Sequence, residues 1–479
     1  MSVRNLVKSI QDIMRKDVGV DGDAQRISQL CWMFFLKIID DQDRELEIMR
    51  KDYHSPIPGP LQWRSWAADP EGVTGDELLS FVNNSLFPGL KSLTPAVGDG
   101  RRRVVRDVFE DAYNYMKSGQ LMRQVVNKIN EIDFNNLKER QHFGDIYEQI
   151  LNDLQSAGNA GEYYTPRAVT AFMADRIDPK PGETLYDPAC GTGGFLTCSI
   201  NHMRKKYIKK PSDEKKMQES LRATEKKQLP HMLCVTNLLL HGIDDPSFVR
   251  HDNTLARPLT SYTKSDRVKI VLTNPPFGGK EEDGIETNFP KHFQTRETAD
   301  LFLALIVRLL KPGGRCGVVL PDGTLFGEGV KTRLKKHLLE KCNLHTIVRL
   351  PNSVFKPYAS IGTNLLFFKK GEPTREIWFY EHRVPRGQKA YSMTKPIRFD
   401  HLKPCIEWWE KRKETEFAWK VGIDEIQERN YNLDFKNPHV EEVHHGDPKK
   451  LLKELERGEK KAAKLREKLK ALLEEALFR

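Results

Sequence analysis

The sequence lacks the features that mark membrane, secreted or metal-dependent proteins. It has no run of about 18 apolar residues, so no membrane-spanning helix is expected. Its first ten residues, MSVRNLVKSI, contain no apolar signal-peptide core. The seven cysteines are scattered without metal-type pairs. This pattern favours reduced thiols, a cytoplasmic location and no metal site.

Two nucleotide-binding signatures are also incomplete. The stretch CGTGG at residues 190–194 lacks the third glycine of a dinucleotide fingerprint, and no Gly-Lys-Ser/Thr follows it as in a P-loop. It comes soon after a short strand predicted at residues 184–187, and its glycines would let a ligand approach the backbone. The carboxylate of Asp187 would repel a phosphate and suits a cationic, amine-bearing ligand. A purely structural turn is the alternative. The predicted nucleoside-binding residues of this turn are Asp187, Gly191, Thr192, Gly193 and Gly194.

The length and charge of the chain limit the number of domains and the class of partner. The chain has 479 residues, 38% of them hydrophobic and 30% charged, which is enough for roughly two to four domains with buried cores. The formal net charge is +10 and the sequence pI is about 9.0. This balance favours a polyanionic partner.

The periodicity of apolar residues divides the chain into three parts. Residues 1–155 have helical spacing and no chemistry-bearing motif, which predicts an N-terminal helical domain. Residues 156–440 alternate between strand and helix patterns, which predicts an α/β catalytic domain. Residues 441–479 carry apolar residues at alternating spacings of four and three, a heptad pattern interrupted by Gly458. This C-terminal helix either contacts a partner subunit or packs on its own protein.

Some local expectations are more specific. A helix is predicted over residues 104–116, and the arginines at 101–103 before it form either a solvated loop or a phosphate contact. Residues 311–314, with the sequence KPGG, are predicted to stop a helix and form a turn before a strand at 316–320. Residues 280–294 form a polar loop that either closes over a target or is solvated.

The motif with the clearest chemistry follows a buried strand. Residues 268–273, VKIVLT, have the β-branched and aliphatic composition of such a strand, and two prolines then end it. Asn274 therefore lies at a strand end, where ligands bind in open α/β sheets. Its neutral amide, the backbone fixed by Pro275 and Pro276, and the ring of Phe277 suit a planar amino group. A plain proline turn is the alternative.

Three other places are candidates for cofactor binding. Thr165 and Pro166 resemble a helix start, with the threonine as cap, and the loop around them either wraps a cofactor or only caps the helix. Glu225 lies where a second strand would end and could hold ribose hydroxyls, although a helix-start acid is an equal alternative. Asp252 follows the next strand-like element and could reach an adenine amino group; a plain loop aspartate is the alternative.

Together these motifs resemble the amino-methyltransferases that use S-adenosylmethionine, and specifically the modification subunit of type I restriction–modification systems. The resemblance covers about residues 160–370, and the helical N-terminal domain agrees in size and place. Asn-Pro-Pro-Phe alone also occurs in methyltransferases of protein glutamine and other nucleic-acid amines. Its combination with Tyr-Tyr-Thr-Pro-Arg upstream of the glycine turn is more specific. The residues that carry the resemblance are Glu162, Tyr163, Tyr164, Thr165, Pro166, Arg167, residues 187–194, Glu225 and residues 274–277.

The resemblance implies a Rossmann-like methyltransferase domain that methylates N6 of adenine in double-stranded DNA. It implies Asn274, Pro275, Pro276 and Phe277 as catalytic residues, and residues 162–167, the glycine turn, Glu225 and Asp252 as cofactor-binding residues. The implied partners are a specificity subunit and a restriction subunit, with two copies of this subunit per complex. The alternatives are a methyltransferase of RNA or protein amides and a non-catalytic scaffold.

Overall fold

A computed structural model describes residues 3–136, 144, 147, 165–277, 279–355, 362–439 and 448–477. Its described strands form one nine-stranded sheet, in the order β3-β2-β1-β4-β5-β7-β6-β8-β9. In chain order, β1 to β9 are Leu185–Asp187, Leu221–Glu225, Val249–His251, Val268–Thr273, Leu310–Pro321, Cys342–Leu350, Thr363–Lys370, Glu376–Glu381 and Ala418–Gly422.

The first five strands have a Rossmann-like arrangement. Strands β3, β2, β1, β4 and β5 run parallel, whereas β7 is antiparallel to both β5 and β6. The order 3-2-1-4-5 reverses between β1 and β4, and ligands in doubly wound sheets bind at such a reversal, outside the carboxyl ends of the strands. The prediction of an α/β, Rossmann-like domain is confirmed.

Strand β4 forms where the sequence predicts it because both of its faces are covered. The side chains of Ile270 and Leu272 belong to one hydrophobic core, and that of Val271 belongs to the core on the opposite face. A strand buried on both faces has a continuous apolar sequence rather than an alternating one. This burial fixes the position at which Asn274 leaves the sheet.

The described helices precede, follow and cover the sheet. Helices α1 to α7 precede it and are Val3–Met14, Asp23–Met49, Trp63–Trp66, Gly75–Phe81, Phe87–Lys91, Gly100–Phe109 and Gly119–Asn130. Helices α8 to α11 are Arg167–Ile177, Gly194–Lys206, Pro211–Ser220 and Gln228–Leu240. Helices α12 to α17 are Thr298–Leu309, Asp322–Phe326, Val330–Lys341, Lys403–Lys411, Ile423–Glu428 and Pro448–Leu477.

The N-terminal helices share a hydrophobic core with one face of the sheet. Helix α2 packs on α11, where Cys31 Sγ lies 3.4 Å from Thr236 Oγ1. The Gln228 amide at the start of α11 donates to the Val108 carbonyl of α6. Residues 1–435 form one compact unit and residues 436–479 a second. The predicted boundary at residue 155 falls outside the described residues and stays a prediction.

The predicted helix over residues 104–116 is wrong in its bounds. Helix α6 is Gly100–Phe109, so the three arginines lie within it rather than before it. The Arg101 guanidinium pairs with Asp43 of α2 at 3.0 Å and donates to the Asp244 carbonyl, and Arg103 donates to the Ser247 carbonyl. Both arginines therefore join the N-terminal helices to the sheet, which is neither the solvated loop nor the phosphate contact expected.

The KPGG stretch is part of a strand. Helix α12 ends at Leu309 as expected, but residues 311–314 lie within β5. They form an irregularity there, since Val268 pairs with Leu310 and Ile270 next pairs with Arg315. Gly313 has a φ of 71°, which a residue with a side chain rarely adopts. The glycines thus produce a bulge rather than the turn that the sequence suggested.

The second unit contains the long helix α17, Pro448–Leu477. Four leucines of its heptad pattern are exposed: Leu451, Leu455, Leu465 and Leu469, with exposed fractions between 45% and 61%. Across the described residues, none of the helices combines the length and the apolar character that crossing a membrane requires.

Candidate functional site

The site predicted from the sequence lies at the carboxyl edge of the parallel strands. Strand β1 ends at Asp187, β2 ends at Glu225, and β4 ends one residue before Asn274. Because these three strands are parallel neighbours, their ends meet at one edge, at the reversal between β1 and β4. A cavity opens there, lined by Thr165, Ala189, Cys190, Gly191, Thr192, Gly194, Phe195, Glu225, Lys226, Lys227, Asn274 and Pro276.

The Asn274 amide is held by one hydrogen bond. Its Nδ2 donates to Thr165 Oγ1 at 2.9 Å, and its Oδ1 is buried with no hydrogen-bond partner. A buried amide oxygen without a partner costs about 1–3 kcal/mol, so it is an acceptor available to a ligand. Pro275 is buried and Pro276 is exposed. The chain leaving β4 therefore brings a residue with one unsatisfied acceptor to the wall of the cavity.

Thr165 has a different role from the one expected. Helix α8 begins at Arg167 with Pro166 as its N-cap residue, and no side chain caps it. The predicted Thr165 cap is therefore wrong, and its hydroxyl instead accepts the hydrogen bond from Asn274. These two residues are 109 positions apart, which is why local sequence patterns could not reveal the contact.

Phe277 is half-buried beside a second aromatic ring. Its ring centroid lies 6.2 Å from that of Phe355, with the ring planes at 72°. This edge-to-face contact fixes the ring at the end of the Asn-Pro-Pro-Phe stretch.

The glycine turn between β1 and α9 uses positive φ angles at Gly191 and Gly193, of 53° and 81°. A Cβ at Gly193 would lie 2.9 Å from Cys234 Sγ, and one at Gly194 would lie 2.5 Å from Arg167 Nη1. The positive φ of Gly193 therefore disfavours a side chain there, whereas a side chain at Gly194 would have to displace the Arg167 guanidinium. The turn leaves its backbone open to the cavity, as the sequence predicts.

Glu225 connects β2 to this turn. Its Oε2 accepts from the Gly191 backbone N–H at 2.9 Å, and its Oε1 accepts from that of Lys227 at 2.8 Å. Burial raises the pKa of this carboxyl above its ordinary value, while the backbone hydrogen bonds act in the opposite direction. A carboxylate offers about four acceptor positions, so Glu225 retains capacity for ligand hydroxyls.

Asp187 is fully buried. One carboxyl oxygen accepts from the Ala189 backbone N–H at 3.2 Å, and the other has no hydrogen-bond partner. Burial, with a smaller contribution from the charge of Glu225, raises its pKa from 3.8 to about 7. A cationic ligand group would favour the ionised form. The two carboxyl groups make this edge of the sheet suited to cations and hydroxyl donors.

One predicted cofactor-binding residue lies away from this cavity, and three others are not described. Asp252 is exposed, forms an ion pair with Arg250, and lines a separate cavity rather than the one at Asn274. Glu162, Tyr163 and Tyr164 lie outside the described residues.

Sequence patterns missed a buried acid in the polar loop. Glu281 is only 8% exposed, and its Oε1 accepts from Lys226 Nζ at 2.6 Å and from Asn253 Nδ2 at 3.1 Å. Lys226 and Asn253 follow the ends of β2 and β3, so Glu281 attaches the start of the loop to that edge of the sheet. The fully solvated interpretation of this loop is wrong at Glu281. Only the local run KEED in the sequence hints at such a role.

Comparison with known proteins assigns the chain to a family. The model described as N-6 DNA Methylase matches residues 138–446, and the HsdM N-terminal domain model matches residues 3–129. The type I restriction enzyme EcoEI methylase subunit of Escherichia coli is 59% identical, over 100% of this chain and 99% of that relative. The chain belongs to the N-6 DNA methylases of type I restriction enzymes.

More distant relatives agree with this assignment. The type I restriction enzyme EcoKI methylase subunit of Escherichia coli K12 is 27% identical to this chain, over 85% of this chain and 78% of that relative. A modification subunit of a putative type I restriction enzyme from Vibrio vulnificus YJ016 is 43% identical, with a TM-score of 0.82 and coverage of 93% and 98%. A second solved structure, from a study of type I R-M complex assembly, is 35% identical, with a TM-score of 0.84 and coverage of 99% and 98%.

The family resemblance predicted from the motifs is thereby confirmed. The chain is a methylase subunit of a type I restriction enzyme, and its activity is methylation of DNA at adenine N6. This assignment decides against the RNA, protein-amide and scaffold alternatives.

The raised pKa of Asp187 gives the free protein a testable pH dependence. The unfolded chain ionises this carboxyl near pH 4, whereas the folded chain keeps its proton to about pH 7. Its stabilising contribution is therefore present below pH 4 and is lost as pH rises through 7. The free energy of unfolding of Asp187→Asn should therefore exceed that of wild type by an amount that grows between pH 4 and pH 8, to at most roughly 4 kcal/mol. Urea unfolding at several pH values measures the difference.

The control for this measurement is Asp244→Asn, which adds an amide at an exposed aspartate. The assignment to Asp187 would be contradicted if the stability difference between Asp187→Asn and wild type did not change with pH.

Proposed function

We propose that the methylase transfers a methyl group from S-adenosylmethionine to adenine N6 in double-stranded DNA, at the cavity beside Asn274. The observation that carries this proposal is the buried Asn274 Oδ1, which has no partner and lies in the same cavity as the glycine turn and Glu225. An oriented acceptor for an amino group thus adjoins a site suited to a cationic nucleoside.

The donor set of the cavity fits S-adenosylmethionine. We assign the Glu225 carboxylate to the ribose hydroxyls and the buried Asp187 carboxyl to the cationic amino-acid end. Residues 191–194 provide the open backbone against which the ligand lies. Thr165 lines the cavity just before α8. We also assign Pro166, Arg167, Glu162, Tyr163 and Tyr164 to the cofactor, on the sequence pattern alone. The cofactor, when bound, supplies a methyl group on a sulfonium, which is already an activated donor.

Asn274 and Pro275 act on the acceptor nitrogen. The lone pair of adenine N6 is conjugated with the ring, which makes the amino group a poor nucleophile. Asn274 Oδ1 and the Pro275 carbonyl accept the two amino hydrogens and favour a more pyramidal nitrogen. The Thr165 hydroxyl accepts from the amide NH₂ group and holds the side chain in place, which leaves the amide oxygen for the substrate. Positioning of this kind contributes much of the rate in reactions with an activated donor.

The adenine must leave the DNA duplex to reach this cavity. Phe277 offers the extruded base an aromatic ring, and Pro276 is an exposed apolar neighbour. Asn274 is no proton base at neutral pH, so the proton released from N6 passes to solvent.

Asp252 is paired with Arg250 and lines a different cavity. To bind the adenine amino group of the cofactor, as the sequence suggested, it would have to give up this ion pair.

Replacement of Asn274 tests this assignment. Asn274→Ala should lower kcat for DNA methylation by about 10²–10³-fold, as loss of one preorganised polar group does in other enzymes. Its dissociation constant for S-adenosylmethionine should change little, because the cofactor contacts lie elsewhere. Methyl transfer from labelled cofactor, with the cognate specificity subunit present, and calorimetric cofactor binding give the two numbers.

Asn84→Ala is the matched control, since it removes an asparagine amide at an exposed position in the N-terminal region. Wild-type methylation by Asn274→Ala would refute the role given to Asn274. Loss of cofactor binding together with activity would show that Asn274 organises the cofactor site instead.

The partners follow from the family. The relatives are named as subunits of type I restriction enzymes, and one solved structure comes from a study of type I R-M assembly. We infer that this chain assembles with a specificity subunit that reads the DNA sequence and with a restriction subunit, in two copies per complex. Helix α17 supports a subunit contact because its seam leucines are exposed.

Removal of α17 tests the contact. Deletion of the residues after 447 should weaken co-purification with the specificity subunit and leave cofactor binding unchanged. A double variant, Leu465→Ala with Leu469→Ala, should weaken assembly in the same direction. Lys460→Ala with Glu467→Ala is the control: it changes the opposite face of the helix, leaves the net charge unchanged and should not weaken assembly. Unchanged assembly of the deletion variant would exclude α17 as the contact.

A further inference from the structure

A second cavity lies on one face of the sheet, apart from Asn274. It encloses about 310 Å³, compared with about 120 Å³ for the Asn274 cavity, and the two share no lining residue. Strands β1, β2 and β3 contribute Tyr186, Arg222, Thr224 and Arg250 to it, and the rest comes mainly from the crossover at residues 252–268.

The cavity exists because this crossover contains no α-helix along its fully described length. Parallel strands are usually joined by an α-helix that covers the sheet. Between β3 and β4 the chain instead forms two short 3₁₀ turns, Thr254–Ala256 and Leu259–Ser261. Such turns cover less of the sheet than a helix of three turns does. A volume at the lower end of the range for ligand pockets is therefore left between the crossover and the strands.

The side chains that line this second cavity include more cationic than acidic groups. Two of its arginines have acidic partners, since Arg250 pairs with Asp252, and Arg257 pairs with Asp266 at 2.9 Å. Arg222, Arg267 and Lys311 have no acidic partner among the described residues, although the exposed Arg222 donates to the Glu219 and Leu221 carbonyls and Lys311 is also exposed. Arg267 is half-buried, so it is the cation for which an anion would best supply the missing counter-charge.

Arg267 shows the imbalance most clearly. Its Nε is buried and has no hydrogen-bond partner, although a guanidinium has five donor hydrogens to satisfy. Arg308 and Lys370 lie close by: Arg308 donates to the Tyr262 carbonyl at 2.8 Å, and Tyr262 lines the cavity. Burial, followed by the charges of Arg267 and Arg308, lowers the pKa of Lys370, although the Cys342 thiol opposes the shift. The cationic groups thus continue beyond the cavity wall, where Arg308 and Lys370 form no ion pair with the acids that the structure describes.

We propose that this cavity binds the phosphate of a nucleotide, as a second ligand site of the methylase. Arginine guanidinium groups match phosphate oxygens in bidentate geometry, and Arg222 and Arg267 lie on different elements that line the same space. The half-buried ring of Phe248 and the ring of Tyr186 offer apolar surface for a base. In the Asn274 cavity, by contrast, the lining includes the buried Glu225, and Lys226 is paired with Glu281. The phosphate belongs either to a free nucleotide or to the DNA backbone.

Calorimetric titration of the full-length methylase tests the site. The probes are inorganic phosphate, adenosine triphosphate and a short DNA duplex of arbitrary sequence, each at constant ionic strength. Arg267→Gln and Arg222→Gln should each weaken binding of the phosphate-bearing ligand by about tenfold or more, which is the effect of losing one charged hydrogen bond. Binding of S-adenosylmethionine should stay within about twofold, since the ligand sites are separate. Arg375→Gln, at an exposed arginine outside the cavity, controls for the change in net charge.

The probes distinguish the two sources of phosphate. A loss for adenosine triphosphate and inorganic phosphate in both cavity variants identifies a free-nucleotide site. A loss for the duplex alone identifies a contact with the DNA backbone. The proposal is overturned if no probe binds at millimolar concentration, if the cavity variants bind as Arg375→Gln does, or if S-adenosylmethionine binding falls in parallel. Retained S-adenosylmethionine binding also shows that each variant is folded.

Discussion

The hydrogen bond from Asn274 Nδ2 to Thr165 Oγ1 is the contact on which the proposed catalytic arrangement depends. It joins the end of β4 to the residues before α8 and occupies one donor of the amide, while the amide oxygen is left without a protein partner. A substrate amino group needs an acceptor, and that oxygen can supply one. The two prolines and the burial of β4 on both faces hold the backbone in the matching position. One hydroxyl therefore anchors the side chain on which the proposed reaction depends.

Electrostatics separates the two cavities of the sheet. At the carboxyl edge, Asp187 and Glu225 are buried, and burial raises the pKa of both. The energetic cost of these carboxyl groups is offset when a cationic ligand with hydroxyl groups binds between them. On the face near β3, arginines exceed the acids that could neutralise them. The proposed cofactor cavity thus has buried acids beside it, and the proposed phosphate cavity has more cations than acids in its lining.

The sequence predicts the parts of the site that depend on neighbouring residues. The strand before Asn274, the glycine turn and the end of β2 at Glu225 follow from apolar runs, prolines and glycines within a few positions. Contacts between distant segments leave no such signal. The bond from Asn274 to Thr165 and the burial of Glu281 both arise only when the strand ends meet. The KPGG stretch was misjudged because strand pairing with β4 overrides its local preference for a turn.

The central claim is that Asn274 Oδ1 receives the amino group of the target adenine beside the bound methyl donor. A crystal structure of the methylase with its specificity subunit, its target DNA and a cofactor analogue that cannot donate a methyl group tests this directly. Adenine N6 is expected at hydrogen-bond distance from Asn274 Oδ1, and the analogue is expected against the glycine turn and Glu225. An extruded adenine in another cavity, or an analogue seated among Arg222 and Arg267, would contradict it.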